Sequence, residues 1–210
     1  MIYSVLTGDI VNSSSLAVEQ RKLLLSTLKE AGKLFTDKSL PAYKILRGDS
    51  FQGITSVPEK ALETAILIRL LIKMKFEKQV DARVAIGLGE VSLLTDNIDE
   101  CDGEAFRNSG QLLEQKTTHY LLFRGPWEQI NDELEVHCRM LDLLVKGWTQ
   151  QQSEAVWERM NGLNQTETAD KLGISQASVN KRLQLAHWDD FQLIIKRYQQ
   201  LINLKLKNNA

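Results

Sequence analysis

The chain has 210 residues and a formal net charge of −1, with 43% apolar and 25% charged residues. It is long enough to bury a full core in one or two domains, and too nearly neutral for its whole surface to bind nucleic acid electrostatically, so any such affinity must be local. Cys101 and Cys138 lie far apart without metal-ligand spacing, which excludes a disulfide scaffold and points to a reducing cytoplasm. Residues 1–9 lack the basic start and long apolar run of a signal peptide. The apolar run 65–74 is interrupted by Arg69 and Lys73 and is too short to span a bilayer.

In chain order, residues 2–6 form a short apolar run closed by Gly8-Asp9, which predicts a buried strand. Residues 16–35 predict a helix with Leu24, Leu25, Leu28, Ala31, Leu34 and Phe35 on one side. Residues 43–46 and 51–55 flank the tight Gly48-Asp49 and predict a β-hairpin. Pro58 suits the start of a second long helix, to about Phe76. Residues 81–91 are a further strand region. The order β-α-β-β-α-β predicts an α+β, ferredoxin-like unit, an antiparallel sheet with two helices on one face. Residues 94–104 carry Asp96, Asp99, Glu100, Asp102 and Glu104 with no balancing cation nearby. They lack the oxygen spacing and central Gly of a Ca²⁺ loop and read as a solvated loop. Residues 120–123 are one more strand, ending at Gly125-Pro126, the best boundary in the chain.

Two carboxylates stand out. Asp9 follows the first strand and Asp49 lies at the hairpin tip, and in this topology those strands are neighbours. Both side chains can then meet at one sheet edge and hold Mg²⁺ against a triphosphate, since Mg²⁺ takes one or two carboxylates plus phosphate oxygens. The alternative is that Asp49 forms the turn and Asp9 caps a loop. The residues alone leave both open.

The runs LTGDI (6–10), ILRGDSFQGI (45–54), RVAIGLGEV (83–91) and DGEAFRNSGQLLE (102–114) resemble, in order, the four blocks of class III nucleotidyl cyclases. The resemblance implies a cyclase-like fold over residues 1–125 and places Asp9 and Asp49 on the two metal-binding aspartates. There are departures. The base-selecting Lys four residues before the hairpin Asp is Ile45 here. Lys44 is one residue off, and strand alternation predicts that it points away from the site, while Arg47 has the parity of Asp49. The family's transition-state Asn and Arg fall on Arg107 and Gln111. Gln is a poor substitute for a cation at a phosphoryl transition state, although Arg107 can supply charge one turn earlier. The stretch between Gly87 and Gly89 is also shorter than in the family. The unit predicted is one that keeps the fold and a nucleotide-sized cleft, with Mg²⁺ and a nucleotide as ligands and Arg47 and Arg107 as phosphate contacts, but has lost the chemistry.

After the boundary, Trp127, Ile130, Leu134, His137, Leu141, Leu144 and Trp148 recur at three- and four-residue steps. This stripe over residues 126–149 is either a dimer seam or a face packed inside the chain. Ser153 can cap a following helix to Met160. All four tryptophans lie beyond residue 126, a shift that suits a second, all-helical domain over 150–210. Within it, residues 165–185 read as a helix-turn-helix. Thr166 caps the first helix, Gly173 supplies the positive φ of the turn, and Ser175 caps the second helix. The run QTETADKLGISQASVNK resembles the helix-turn-helix of Cro-type phage repressors and of sigma-factor region 4. An ordinary helical hairpin is the alternative. Gln176, Ser178, Asn180, Lys181 and Arg182 remain on the outer face, and these residue types suit base edges and phosphates in a major groove. Residues 165–207 hold seven Lys/Arg against four Asp/Glu. Residues 188–206 are a last helix and 208–210 a frayed end. With its cyclase-like half, the chain resembles the SatD family of bacterial proteins. Expected partners are double-stranded DNA, a nucleotide and a second copy of the chain. The favoured function is a cytoplasmic, sequence-specific DNA-binding regulator. The alternative is a metal-dependent enzyme acting on a nucleoside triphosphate.

Overall fold

The computed structural model of the protein describes residues 1–37, 39–76 and 80–208. Its first elements are β1 (Ile2–Val11), α1 (Val18–Ala31), β2 (Tyr43–Leu46), β3 (Ser50–Thr55), α2 (Ala61–Lys75) and β4 (Asp81–Leu93). The strands lie side by side as β2-β3-β1-β4, with every neighbour antiparallel. β1 runs on past the predicted end of its apolar run, through Gly8 and Asp9. Gly8 fits inside the strand because the Phe51 ring crosses it; a Cβ there would lie 2.3 Å from the ring.

Period-two alternation divides the side chains between the two faces. Leu6, Ile10, Phe51, Val84, Ile86 and Leu88 join the main core with α1 and α2. Val5 and Ile54 turn the other way, toward Ala105 and Phe106 of α3 (Glu104–Glu114). α3 lies very close to β4: a Cβ on Gly87 would sit 2.2 Å from the Ala105 carbonyl oxygen. β5 (Asp102–Gly103) pairs antiparallel with β4, and β6 (Leu121–Arg124) pairs with it in parallel.

The helices that follow are α4 (Glu128–Gly147), α5 (Gln150–Met160), α6 (Gln165–Leu172), α7 (Gln176–Leu185) and α8 (Trp188–Asn208). They share one apolar cluster with the sheet, from Leu6 to Ile202, and Trp148 and Trp188 belong to it. α4 packs on β6 and α5 on α2. The heptad stripe is used inside the chain: Ile130, Leu134, Leu141 and Trp148 are buried, together with the off-heptad Cys138 and Val145. Of the two readings of that face, dimer seam or packing inside the chain, the burial matches the second. Tyr198 of α8 donates its hydroxyl to the Pro58 carbonyl at 2.8 Å.

A buried ion cluster joins these elements. Arg69 of α2 is fully buried and donates Nε and Nη2 to the two oxygens of Asp81, at 3.0 and 2.7 Å. Its Nη1 reaches Asp142 of α4 at 2.9 Å. Asp142 also accepts from the Tyr120 N–H at 3.0 Å and pairs with Lys146 at 2.9 Å. Burial alone would lower the Arg69 pKa; Asp81 and then Asp142 outweigh it and raise it. The residues that interrupt the apolar run 65–74 are thus core cations with carboxylate partners. Among the described residues no helix is long and apolar enough to cross a membrane.

Three local expectations are corrected. α6 is capped by Asn164, not Thr166: Asn164 accepts from the Thr166 and Glu167 N–H groups while Glu167 reaches back to the Asn164 N–H, a complete capping box. α5 is capped by Thr149 with Gln152, and Ser153 is buried within the helix. α8 continues to Asn208, and the rest of the predicted frayed end lies outside the described residues.

Candidate functional site

The two predicted aspartates arrive at the same end of the sheet. Asp9 lies opposite Ser50 of β3 and, on its other side, opposite Arg83 of β4. Asp49 precedes Ser50 in the hairpin turn, and its carbonyl accepts from the Ile10 N–H at 2.9 Å. Three residues with left-handed backbone cluster here: Asn12 (φ 62°), Arg47 (φ 51°) and Gly48 (φ 83°). Two of the three are not glycine, and such strain collects at turns and functional sites.

The carboxylates nevertheless have separate partners. Arg83 grips Asp9 with both arms, Nε to Oδ1 at 3.1 Å and Nη2 to Oδ2 at 2.6 Å. Ser13 donates its hydroxyl to Asp49 Oδ2 at 2.7 Å. The second Asp49 oxygen has no hydrogen-bond partner among the described residues. A hollow of about 790 Å³ opens beside Arg83, lined by Glu114, Gln115, Lys116, Thr117 and Thr118. The donor set fits Mg²⁺ in kind: two carboxylates from adjoining strand ends, with Asp49 half free and phosphate oxygens to complete the shell. Asp9 would join only when Arg83 lets go of it.

The other predicted contacts are placed as follows. Arg47 is exposed on the turn, with no side-chain partner among the described residues. Arg107 is also exposed, and its Nη1 contacts both oxygens of Asp102 at 3.0 and 3.1 Å. Gln111 accepts from Arg124 at 3.3 Å. Lys44 corrects a prediction. It lies opposite Gln52, which lies opposite Thr7, so Lys44 stands on the same face as Asp9. Parity counted to Asp49 fails because the chain leaves the strand at Arg47 and Gly48. The Lys44 ammonium pairs with Asp99. The acidic stretch 94–104 therefore has two balancing cations, Lys44 and Arg107, and it buries Ile98 and Cys101. Beside these lies a polar line that sequence reading missed. Gln52 donates to the Thr7 hydroxyl at 3.2 Å, and Thr7 shares a 2.9 Å hydrogen bond with Ser109 of α3.

A second candidate surface is the front of α7. α6 ends at Gly173, whose φ of +65° turns the chain, and Ser175 caps α7 by accepting from the Ser178 N–H. Val179 and Leu183 are buried toward the rest of the chain, while Gln176, Ser178, Asn180 and Lys181 are exposed. The Ser178 hydroxyl shares a 2.9 Å hydrogen bond with that of Ser175. Arg182 departs from the expected outer face. It is half-buried and donates Nη1 to Glu154 at 3.2 Å and to the Gln151 carbonyl at 3.3 Å. Lys171 of α6 is likewise paired, with Glu158 at 2.7 Å.

Arg83 is the residue of the sheet-end candidate site that sequence reading overlooked. Its signal was register: an antiparallel partner that begins at Asp81 and ends β1 at Val11 sets Arg83 opposite Asp9.

No family model matches the chain, and no curated protein does. Similar solved structures are guanylyl cyclase domains. One is the catalytic core of a rhodopsin-guanylyl cyclase with converted specificity, in complex with ATPalphaS, at 15% identity and TM-score 0.41, covering 55% of this chain and 73% of that one. Another is the monomeric guanylyl cyclase domain of the RhoGC fusion protein from the aquatic fungus Blastocladiella emersonii, at 17% and 0.40, covering 55% and 76%. A third is the guanylate cyclase domain of RhGC from Catenaria anguillulae in complex with GTP, at 17% and 0.40, covering 55% and 74%.

Proposed function

We propose that the chain is a cytoplasmic, sequence-specific DNA-binding regulator in which α6 and α7 act as a helix-turn-helix. The observation that carries the reading is the front of α7, where Gln176, Ser178, Asn180 and Lys181 are exposed beside a capped N-terminus. Amides at Gln176 and Asn180 suit the paired donor and acceptor of an adenine edge in the major groove. Ser178 and Lys181 suit phosphates, and the α7 N-terminus adds its own favourable field. Arg182 joins them only after leaving Glu154. Lys181 is then the main free charge on α7, so the salt dependence of binding is shallow. The sheet unit, residues 1–125, serves as a ferredoxin-type, cyclase-like module that senses a nucleotide or supports a homodimer without catalysis. Residues 126–149 connect it to the reading unit at 150–210. This division is one of task, since one buried cluster runs through all three parts.

The test is a binding titration on random duplexes at physiological salt, with sequencing of the retained pool, in the presence and absence of nucleotides and Mg²⁺. A recovered palindromic motif supports a dimeric reader. Asn180→Ala should then relax sequence choice, while Lys181→Ala should weaken binding to most sequences and reduce the salt slope by about 1. A pool with no enrichment in either condition would sink the reading.

A second reading is favoured by the placement of Asp9 and Asp49 at one sheet end: a metal-dependent enzyme acting on a nucleoside triphosphate. Asp9 and Asp49 would hold Mg²⁺, which neutralises phosphate charge, and Arg47 and Arg107 would steady the phosphates. Arg107 would first have to leave Asp102. Absence of pyrophosphate release from all four triphosphates, with Mg²⁺ or Mn²⁺, would retire it.

A further inference from the structure

A hollow of about 640 Å³ lies between the start of α2, the end of α5 and α8. That is the size of a small-molecule site, roughly 300–1,000 Å³. Buried Phe191 and Ile195 line it from α8, and Leu193 beside them is 68% exposed. Arg159 enters from α5. Its guanidinium carbon lies 5.6 Å from the centre of the Trp188 ring, and its Nη1 donates to the Leu163 carbonyl. These contacts fix the plane of the group. They leave its other edge, the buried Nε together with Nη2, without a hydrogen-bond partner among the described residues. The same edge is filled in two other arginines of this chain. Arg69 holds both oxygens of Asp81 with Nε and Nη2, and Arg83 holds both oxygens of Asp9 in the same way. A planar fork of two N–H donors matches the two oxygens of a carboxylate. In a partly dry hollow that match is stronger than in water, and leaving it unmade costs more.

We infer that this hollow binds an organic monocarboxylate with an apolar body, its carboxylate on the Arg159 fork and its body against Phe191, Ile195 and Leu193. Four charged residues line the hollow: Arg159, Lys196, Glu63 and Asp189. Lys196 and Asp189 are exposed, with no ion-pair partner among the described residues, and offset each other at the rim. Deeper in, the choice lies between Arg159 and Glu63. Glu63 is half-buried, and its hydrogen bond from Gln199 is a long one at 3.5 Å. Burial raises its pKa, which favours its neutral form more than water does. Arginine keeps its charge. The ion that stays is the cation, so the missing partner is an anion. A phosphate, with its second negative charge, would meet more repulsion from Glu63 than a carboxylate does. The site is separate from Asp9 and Asp49 and from the front of α7, and it depends on neither reading of them.

The probes are octanoate, octanol and octylammonium, one chain length with three head groups, titrated calorimetrically into the full chain at neutral pH. Octanoate should bind at a single site with a dissociation constant of roughly 1 mM or tighter. Octanol and octylammonium should bind at least about 10-fold more weakly. Arg159→Lys keeps the charge but loses the fork, and should weaken octanoate about 10-fold with the circular dichroism unchanged. Leu193→Glu changes an exposed position, so the fold is safe. It sets a carboxylate against the ligand's chain and should weaken octanoate as well. Glu63→Gln removes the opposing carboxyl and should bind octanoate as tightly as the wild type, or more so. Absence of saturable octanoate binding would overturn the assignment. So would octanol or octylammonium binding as well as octanoate, undiminished binding in Arg159→Lys or Leu193→Glu, or a loss of binding in Glu63→Gln.

Discussion

Asp142→Asn is the most informative single change in this molecule. Four charged side chains, Arg69, Lys73, Asp81 and Asp142, lie in the interior, none more than 4% exposed. Two positive and two negative groups balance, and half-exposed Lys146 adds a rim cation. Asparagine at 142 removes one negative charge and leaves the interior with an excess cation. It also sets an amide NH₂ where a carboxylate oxygen now accepts from Arg69 or from the Tyr120 N–H. Removing one partner of a buried pair costs about 3–5 kcal/mol, and retaining one acceptor places this change near the lower end, about 3 kcal/mol. In a chain of this size each 1 kcal/mol lowers the melting temperature by roughly 2–4 °C, so the expected drop is about 6–12 °C. Urea unfolding should show a lower midpoint with an unchanged slope. A double-mutant cycle with Arg69→Met should give a coupling of about 2 kcal/mol. A loss below about 1 kcal/mol, or additive behaviour of the two variants, would refute the view that this cluster holds α4 to the sheet.

Three other outcomes follow from single residues. Gly87→Ala drives a methyl against the Ala105 carbonyl and should cost about 3 kcal/mol in urea unfolding, whereas Gly173→Ala meets open space and should cost only about 1 kcal/mol of left-handed strain; equal costs would contradict the close seating of α3. Burial raises the Glu63 carboxyl pKa, partly opposed by Lys60. Its contribution to stability is complete below the unfolded value of about 4.3 and is lost as pH rises through the folded value, so Glu63→Gln should stabilise at pH ~7 and change nothing at pH ~3; a difference independent of pH would be wrong for this cause. Burial, then Asp142 and Glu135, push the Cys138 thiol up to about 12, so Cys138→Ser should leave native labelling by a thiol reagent unchanged and remove one label only in denaturant.

Much of the fold could be read from residue pattern, since the strands of the sheet and the α6–α7 turn announce themselves through alternation, Gly48 and Gly173. Harder to see was what depends on three-dimensional pairing. The heptad stripe of α4 has the same spacing whether it meets a partner chain or β6, and only burial decides between them. Arg69 and Lys73 looked like breaks in an apolar run, because their partners Asp81 and Asp142 are distant in sequence. A cation inside an apolar helix is itself a hint that a carboxylate is waiting in the core. At the candidate sheet site the placement of Asp9 and Asp49 at one sheet end was legible, while Lys44 was set on the wrong face because parity was carried through a turn that breaks it. Arg182 was assigned to solvent on helical spacing alone, which says nothing of Glu154 on a neighbouring helix.

These pairings bear on how the two candidate surfaces can communicate. Arg83, which holds Asp9, is two residues along β4 from Asp81. Asp81 grips Arg69, Arg69 grips Asp142, and six residues along α4 from Asp142 the Trp148 indole N–H is held by the Ala186 carbonyl at the end of α7. Each step is a hydrogen-bonded or packed contact, and most are buried. A ligand that drew Arg83 off Asp9 would act on the first residues of β4, and through them on a nearly unbroken line to α7. Contiguity alone does not make a switch; that requires two discrete arrangements, each favoured by a different ligand. What it does decide is the kind of motion available. With one core from Leu6 to Ile202, the α7 surface has no free hinge to swing on. Regulation in this chain would have to come from small shifts of α4 against the sheet, or from pairing with a second copy.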